Sequence, residues 1–261
     1  VLCFDIGNTD IHGGVFEGEK LRFEFRRSNQ QRPSADELGV FLLQLLAANE
    51  VHPASIGAIS IASVVPDALP AVEGACEKYL HCAPLVLQAG VKTGLKLRVK
   101  EPREVGADRI ANAIAAVRNF PGQNVIVVDM GTATTLCAIN AKAEYLGGAI
   151  VVGMGLSMRA LGSQTAKLPQ VDIVRPESAL GRTTVENIQS GLFFSQLGML
   201  REMTERLREE AFEGEPTLVV GTGGFARLFA SEKIFDRIEP ALVLHGLRYA
   251  LLLNRPSENP S

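Results

Sequence analysis

Two stretches about half a chain apart are built alike. VLCFDIGNTDIHGGVF opens the protein, and NVIVVDMGTATTLCAI begins at Asn124. Each runs an apolar segment into an aspartate (Asp5 or Asp129), then one residue, a glycine (Gly7 or Gly131), a few small hydroxyl or amide residues and a second apolar segment. Repetition at that spacing implies two related halves, each centred on a strand that ends in a D-x-G turn. Glycine at such a turn lets the backbone come close to an anion, and the neighbouring amides and hydroxyls can hold phosphate oxygens. The carboxylate at the strand end can hold a cation beside them. A single D-x-G is an ordinary turn, since Asp and Gly favour turns for local reasons. Two copies, joined by the late glycine-rich VVGTGG at 219–224, favour a nucleotide site, with the GTGG loop a place for adenine or ribose to lie against backbone.

Strand-like and helix-like segments alternate through the rest, which predicts an α/β fold. Strands are expected at 1–6, KLRFEFR, AISIAS, PLVLQ, LKLRV, NVIVVD, TLCAI, YLGGAIVV and TLVV. Ser34 and Glu37 have capping-box spacing before the amphipathic LGVFLLQLLAANE, predicting a helix start there. Further helices are expected over PDALPAVEGACEKYL, over 106–120, after Gly155, along TTVENIQSGLFFSQLGMLREMTERLREE and over ALVLHGLRYALLL. PGQN after Phe120 suggests a boundary between domains 1–120 and 121–261, and the tail RPSENPS reads as frayed.

The 261 residues are 46% hydrophobic with a formal net charge of −3, which argues for buried cores and supplies no basic footprint for nucleic acid. No apolar run reaches the ~18 residues of a membrane span, so a cytoplasmic protein with no membrane partner is expected. Cys3, Cys76, Cys82 and Cys137 have no zinc-site spacing and read as packing thiols. His52, His81 and His245 read as surface or packing residues, while His12 is of interest for its neighbours.

Among phosphate-binding signatures, GxxxxGK[ST] is absent, and the G-x-G in YLGGAIVVGMGLSM has Met158 where a dinucleotide fingerprint needs its third glycine. The doubled D-x-G turn resembles the superfamily of actin, sugar kinases and the seventy-kilodalton chaperones, in which two related ribonuclease H-like ATPase domains, each a mixed sheet flanked by helices, close over ATP. DIGNT, EPREVGADRIANA, VDMGTATT, GGAIVVGMGLSMRAL, TTVENIQSG and GTGG, in that order, resemble type III pantothenate kinases over essentially the whole chain. The resemblance implies transfer of the ATP γ-phosphoryl group to the primary hydroxyl of pantothenate, the first step towards coenzyme A.

By the same resemblance Asp108 is the proton acceptor. From spacing alone it is equally a first-turn helix cap, since acidic residues stabilise that position. Gly106, Ala107, Asp108 and Arg109 match a substrate-contacting stretch, and the Arg109 guanidinium suits the pantothenate carboxylate, with a helix-surface ion pair as the alternative. Asp5, Ile6, Gly7, Asn8, Thr9, Asp10, Ile11 and His12 match the first ATP-phosphate turn, and Thr132 an ATP contact in the second. Asp5 is expected near Mg²⁺ through water, because Mg²⁺ dehydrates reluctantly. Asp129 matches a monovalent-cation ligand, K⁺ or NH₄⁺. Thr184 matches a residue that reaches pantothenate from the neighbouring subunit, implying a homodimer with a shared active site. Thr184 could also be the N-cap, although Asn187 three residues on does not complete a capping box.

Two positions depart from the family pattern: Val99, a substrate-contact position, stands where Tyr is common, and Val152 where Pro precedes the glycine. Losing the phenol removes a hydrogen bond of roughly 0.5–1.5 kcal/mol. Asp10 adds a carboxylate that needs a cation or an outward rotamer. Two other functions are compatible with the scaffold: a nucleotide-binding regulator without turnover, and a kinase for another small hydroxylated acid.

Overall fold

The computed structural model describes residues 1–165 and 167–255; the tail expected to fray lies, beyond Arg255, outside the described residues. In chain order the elements are β1 (Leu2–Ile6), β2 (Asp10–Glu17), β3 (Lys20–Ser28), α1 (Ala35–Ala48), β4 (Ile59–Ser63), α2 (Leu69–Leu80), β5 (Leu85–Val86), β6 (Lys96–Leu97) and α3 (Ala107–Asn119). Then follow β7 (Asn124–Met130), β8 (Ala133–Ile139), β9 (Glu144–Val152), α4 (Met154–Gln164), α5 (Thr184–Phe212), β10 (Thr217–Thr222), β11 (Arg237–Ile238) and α6 (Leu242–Asn254). Among the described residues no helix is long and apolar enough to cross a membrane.

The chain forms two compact units, Val1–Gly94 with Glu101–Arg118 and Leu242–Ser261, and Leu95–Lys100 with Asn119–Ala241. Their sheets repeat one topology. The first has the order β3-β2-β1-β4-β5, and the second β9-β8-β7-β10-β11 with β6 added beside β9. In each, the hairpin pairs are antiparallel (β1 with β2, β2 with β3; β7 with β8, β8 with β9) and the central strand pairs in parallel with the next (β1 with β4, β7 with β10). The two D-x-G copies therefore occupy equivalent places, at the carboxyl end of the central strand.

In the first unit the alternation of β1 and β2 sends Leu2, Phe4, Ile6, Ile11 and Val15 to one face, where α1 and α2 cover them with Leu38, Leu42, Leu46, Val72 and Leu80. Each such side chain contributes roughly 1.5–3 kcal/mol by leaving water. The expected capping box starts α1: Ser34 Oγ accepts from Glu37 N at 3.2 Å and Glu37 Oε2 from Ser34 N at 2.7 Å. The other face is covered by α6, which packs on β1 and β4 through an apolar stripe including Leu244 and Leu247. Arg248 anchors that helix, donating from Nε to Gly18 O at 2.7 Å. The expected cut at 120/121 lies two residues from the crossing at Arg118/Asn119, and the chain returns to the first unit at Leu242.

In the second unit Ile126, Val128, Met130, Leu136 and Ala138 pack against Ile188, Leu192, Leu197 and Leu200 of α5, while Phe193 stacks on Phe229 with centroids 4.7 Å apart. A buried polar contact ties that helix to the sheet, Gln196 Nε2 donating to Thr134 Oγ1 at 2.8 Å.

Candidate active site

The first turn is closed by Gly7 N, which donates to Asp10 O at 2.9 Å. A residue beyond the predicted set braces it. Asn29, just past β3 and only 3% exposed, donates from Nδ2 to Gly7 O at 2.8 Å and from its backbone N to Thr9 O at 2.8 Å. Asp5 stands opposite His12 in the β1–β2 register, and His12 opposite Arg26 in β2–β3, so all three project to one face. His12 is 4% exposed, with Nε2 at 2.9 Å from Glu24 Oε2 and Arg26 Nη2 at 3.4 Å from Nδ1. Burial, then the Arg26 charge, lower its pKa against the opposing pull of Glu24. The neutral ring therefore donates to Glu24, making this a hydrogen bond to a carboxylate rather than an ion pair. Ile6 and Ile11 are core residues; Asn8 is exposed, and Thr9 and Asp10 are half-exposed.

Asp108 lies at the same end of this unit. Val64 N donates to Ile6 O at 3.2 Å, and a side chain placed on Gly106 would meet Val64 at 3.5 Å and collide with Asp108 Oδ1. The start of α3, Gly106 to Arg109, thus sits beside the carboxyl ends of β1 and β4. The Asp108 carboxylate lies beside the first-turn N–H groups of Asp108 and Arg109, which favour its charged form, yet Oδ1 is buried without a hydrogen-bond partner. Burial raises its pKa above the ordinary carboxylate value, opposed by those N–H groups and the Arg109 charge.

In the second unit Asp129 pairs with Thr222 across β7–β10, which brings the GTGG loop onto the second D-x-G turn. Gly131 N donates to Ala133 O at 3.1 Å and Phe225 N to Met130 O at 3.2 Å. Gly223 has φ +85°, and a Cβ there would lie 2.5 Å from Asp129 Oδ1. Gly153, which caps α4, leaves no room for a side chain against the Thr132 carbonyl. Asp129, Thr132, Gly153 and Gly223 therefore form one cluster. The carboxylates of Asp5 and Asp129, at equivalent strand ends, are hard oxygen donors of the kind that Mg²⁺ and K⁺ accept. Among the described residues no group of three or more His, Cys, Asp or Glu gathers into a metal site.

Two predicted residues lie apart from that cluster. Val99 is half-buried, its side chain 3.9 Å from where a Cβ on Gly147 of β9 would be. Thr184 is the first residue of α5, exposed, twelve residues before Gln196, hence roughly 18 Å along the helix from the Thr134 contact. Thr184 is not the cap. Thr183 is, with a full capping box: Thr183 Oγ1 accepts from Glu186 N at 3.2 Å and Glu186 Oε2 from Thr183 N at 3.2 Å. The T-x-x-E spacing is present in the sequence one residue earlier. Thr184 lines an open, largely apolar groove of about 760 Å³ between α4 and α5, with Leu161, Ile188, Gly191 and Leu192.

The type III pantothenate kinase family model matches residues 1–206. A type III pantothenate kinase of Legionella pneumophila (strain Corby) is 50% identical over 97% of this chain and 99% of its own length. Type III pantothenate kinase 1 of Francisella tularensis subsp. holarctica (strain OSU18) is 46% identical over 98% and 100%. Among solved structures, a candidate 2-dehydro-3-deoxygalactonokinase of Sinorhizobium meliloti superposes with a TM-score of 0.65 at 13% identity over 99% of this chain and 98% of that one, a likeness of fold alone.

Proposed function

This chain belongs to the type III pantothenate kinase family and uses ATP to phosphorylate pantothenate in coenzyme A biosynthesis, and on that premise we propose how its residues divide the work. Phosphoryl transfer requires positioning, charge neutralisation and a proton acceptor at the attacking oxygen. Asp108 is that acceptor: it takes the proton of the pantothenate primary hydroxyl as the oxygen bonds to the γ-phosphorus and ADP leaves. The observation that carries the assignment is its buried, unpartnered Oδ1, an acceptor that a substrate hydroxyl would satisfy. Its raised pKa strengthens it as a base.

Gly106, Ala107 and Arg109 bind pantothenate, with Arg109 on the carboxylate, and Val99 is assigned as a further substrate contact. The turn from Asp5 to His12 holds ATP phosphates through its amides, and Thr132 adds a contact from the second turn. Asp5 would hold Mg²⁺ through water and Asp129 a monovalent cation, K⁺ or NH₄⁺; bound there, the ions neutralise phosphate charge.

The active form is a homodimer in which Thr184 serves the neighbouring subunit's pantothenate. Supporting this, Thr184 is remote along α5 from its own chain's second turn, and Ile150 and Val152 of β9 are 65% and 50% exposed. Leu156 and Val185, on the packed helices α4 and α5, are also exposed. Gly191 and Gly198, two turns apart on α5, have nothing within 4 Å of where a Cβ would stand, an open strip that another helix can approach. The partners are small molecules and a second copy rather than nucleic acid or a membrane, and the enzyme works in the cytoplasm.

Coupled ADP release tests this reading. Turnover that requires pantothenate, and that rises with K⁺ or NH₄⁺ over Na⁺, is expected; cation-independent turnover would remove the Asp129 assignment, and absence of pantothenate-dependent ADP would overturn the kinase mechanism.

A further inference from the structure

We propose that Asn29 is a positioning residue for ATP, holding the first phosphate turn in its anion-binding conformation. The inference rests on the reading that this turn receives ATP phosphates. Asn29 makes both of its contacts to the turn through donors: Nδ2 to Gly7 O and backbone N to Thr9 O, each at 2.8 Å. These two carbonyls flank Asn8. Because a trans peptide sets C=O and N–H on opposite sides of its plane, drawing the Gly7 and Thr9 carbonyls towards Asn29 turns the Asn8 and Asp10 N–H groups the other way. Those are the groups a phosphate would meet.

The side chain matters most at Gly7. Glycine tolerates either orientation of the following peptide, so without an acceptor-side brace the Gly7–Asn8 plane can flip and withdraw the Asn8 N–H. The Gly7 N to Asp10 O bond closes the turn but leaves that plane unrestrained. Asn29 is also a poor choice for packing alone. It is 3% exposed, and its Oδ1 is buried without a hydrogen-bond partner, a penalty that an apolar residue of similar size would avoid. The amide is kept for its donor. The Asn29 backbone carbonyl in turn accepts from Arg32 N at 3.2 Å, which fixes the start of the β3–α1 loop around it.

The test is steady-state kinetics on the full chain for wild type, Asn29→Ala, Asn29→Ser and Asp5→Asn, with KM for ATP and for pantothenate measured separately and thermal midpoints recorded. Expected is a rise of about tenfold or more in the ATP KM of Asn29→Ala with the pantothenate KM within about twofold, and an intermediate ATP KM for Asn29→Ser, whose hydroxyl is a shorter donor. If Asn29→Ala does not fold, the selective rise in Asn29→Ser decides. An ATP KM within twofold of wild type, or equal rises in both KM values, would overturn the proposal while an impaired Asp5→Asn leaves the phosphate turn standing. If Asp5→Asn is also unimpaired, the phosphate-turn reading itself falls and takes this inference with it.

Discussion

Gly223 packs onto Asp129 so closely that a methyl group would stand 2.5 Å from the carboxylate Oδ1 and 2.6 Å from Met130 N. The neighbours are backbone and a strand-end carboxylate, which cannot yield as a flexible side chain would. Gly223→Ala also places a side chain at φ +85°, so both strain and displacement act. The expected result is a loss of at least about 1–3 kcal/mol of stability from the backbone alone, with Asp129 moved and kcat reduced. Gly224→Ala, at the next residue and with open space around it, should be close to wild type in stability. Urea unfolding and ADP release on the two variants check this.

Asp108→Asn separates catalysis from stability. Loss of the base should cut kcat by about 10²–10⁴. Stability should move the other way. A carboxyl whose folded pKa is raised contributes stability below its ordinary value and loses it as pH rises through the folded value, so at pH 7 the ionised wild-type group is a burden that the neutral amide lacks. The thermal midpoint of Asp108→Asn should exceed wild type at pH 7, and the gap should close as pH falls towards the ordinary carboxylate range. The wild-type rate should decline at low pH through a value above that range, and this limb should be absent from the residual activity of the variant. A variant less stable than wild type at pH 7 would contradict the burial argument.

His12 carries the opposite sign. Its folded pKa is depressed by burial and Arg26, so it contributes stability above the ordinary imidazole value of 6.5 that is lost as pH falls through the folded value. As pH falls below the ordinary imidazole value of 6.5 towards the depressed folded value, wild type should lose stability that His12→Gln, able to donate to Glu24 without titrating, retains. Parallel denaturant titrations across that range provide the comparison.

The doubled D-x-G grammar made the two strand-then-turn repeats readable because it reports local chemistry, and the two sheets repeat one strand order around them. What escaped depends on pairing between distant residues. Asn29 reaches Gly7 from 22 positions away, and nothing in SNQQRP marks an amide that braces a turn rather than forming one. The stripe of Leu244 and Leu247 announces a buried helix, but an apolar face carries no label for the sheet it will cover, and α6 returns to the first unit. The closeness of Gly223 to Asp129 follows from the parallel register Thr222 to Asp129, which no local pattern encodes. The cap of α5 differs by one residue from the expected position and was readable, because Thr183 and Glu186 form a complete box by spacing alone.

Gly191 probes the proposed dimer. Glycine inside a helix is less stable than alanine by about 0.5–1 kcal/mol, and with open space above it a side chain meets no resistance within one chain. Gly191→Leu should therefore fold with an undiminished thermal midpoint when dilute, yet sediment as a monomer at concentrations where wild type is a dimer. A fully active monomer would remove the shared site.

Thr183 and Thr184 should divide the two roles that one threonine was expected to combine. Thr183→Ala removes the side-chain half of the capping box and should cost about 1 kcal/mol, lowering the thermal midpoint. Thr184 has its side chain exposed on the groove and takes no part in the cap, so Thr184→Ala should leave the midpoint within about 1 °C, since alanine is a good helix former at a first-turn position. Its effect should instead be on pantothenate: losing one hydrogen bond worth about 0.5–1.5 kcal/mol raises the pantothenate KM by roughly two- to tenfold with the ATP KM unchanged. Mixing Thr184→Ala with Asp108→Asn subunits decides whether the hydroxyl acts across the dimer. In a mixed dimer one site joins a wild-type Asp108 to a wild-type Thr184 only if the threonine comes from the Asp108→Asn subunit, so recovery of wild-type pantothenate KM on mixing identifies action in trans, and its absence places Thr184 beside its own subunit's substrate.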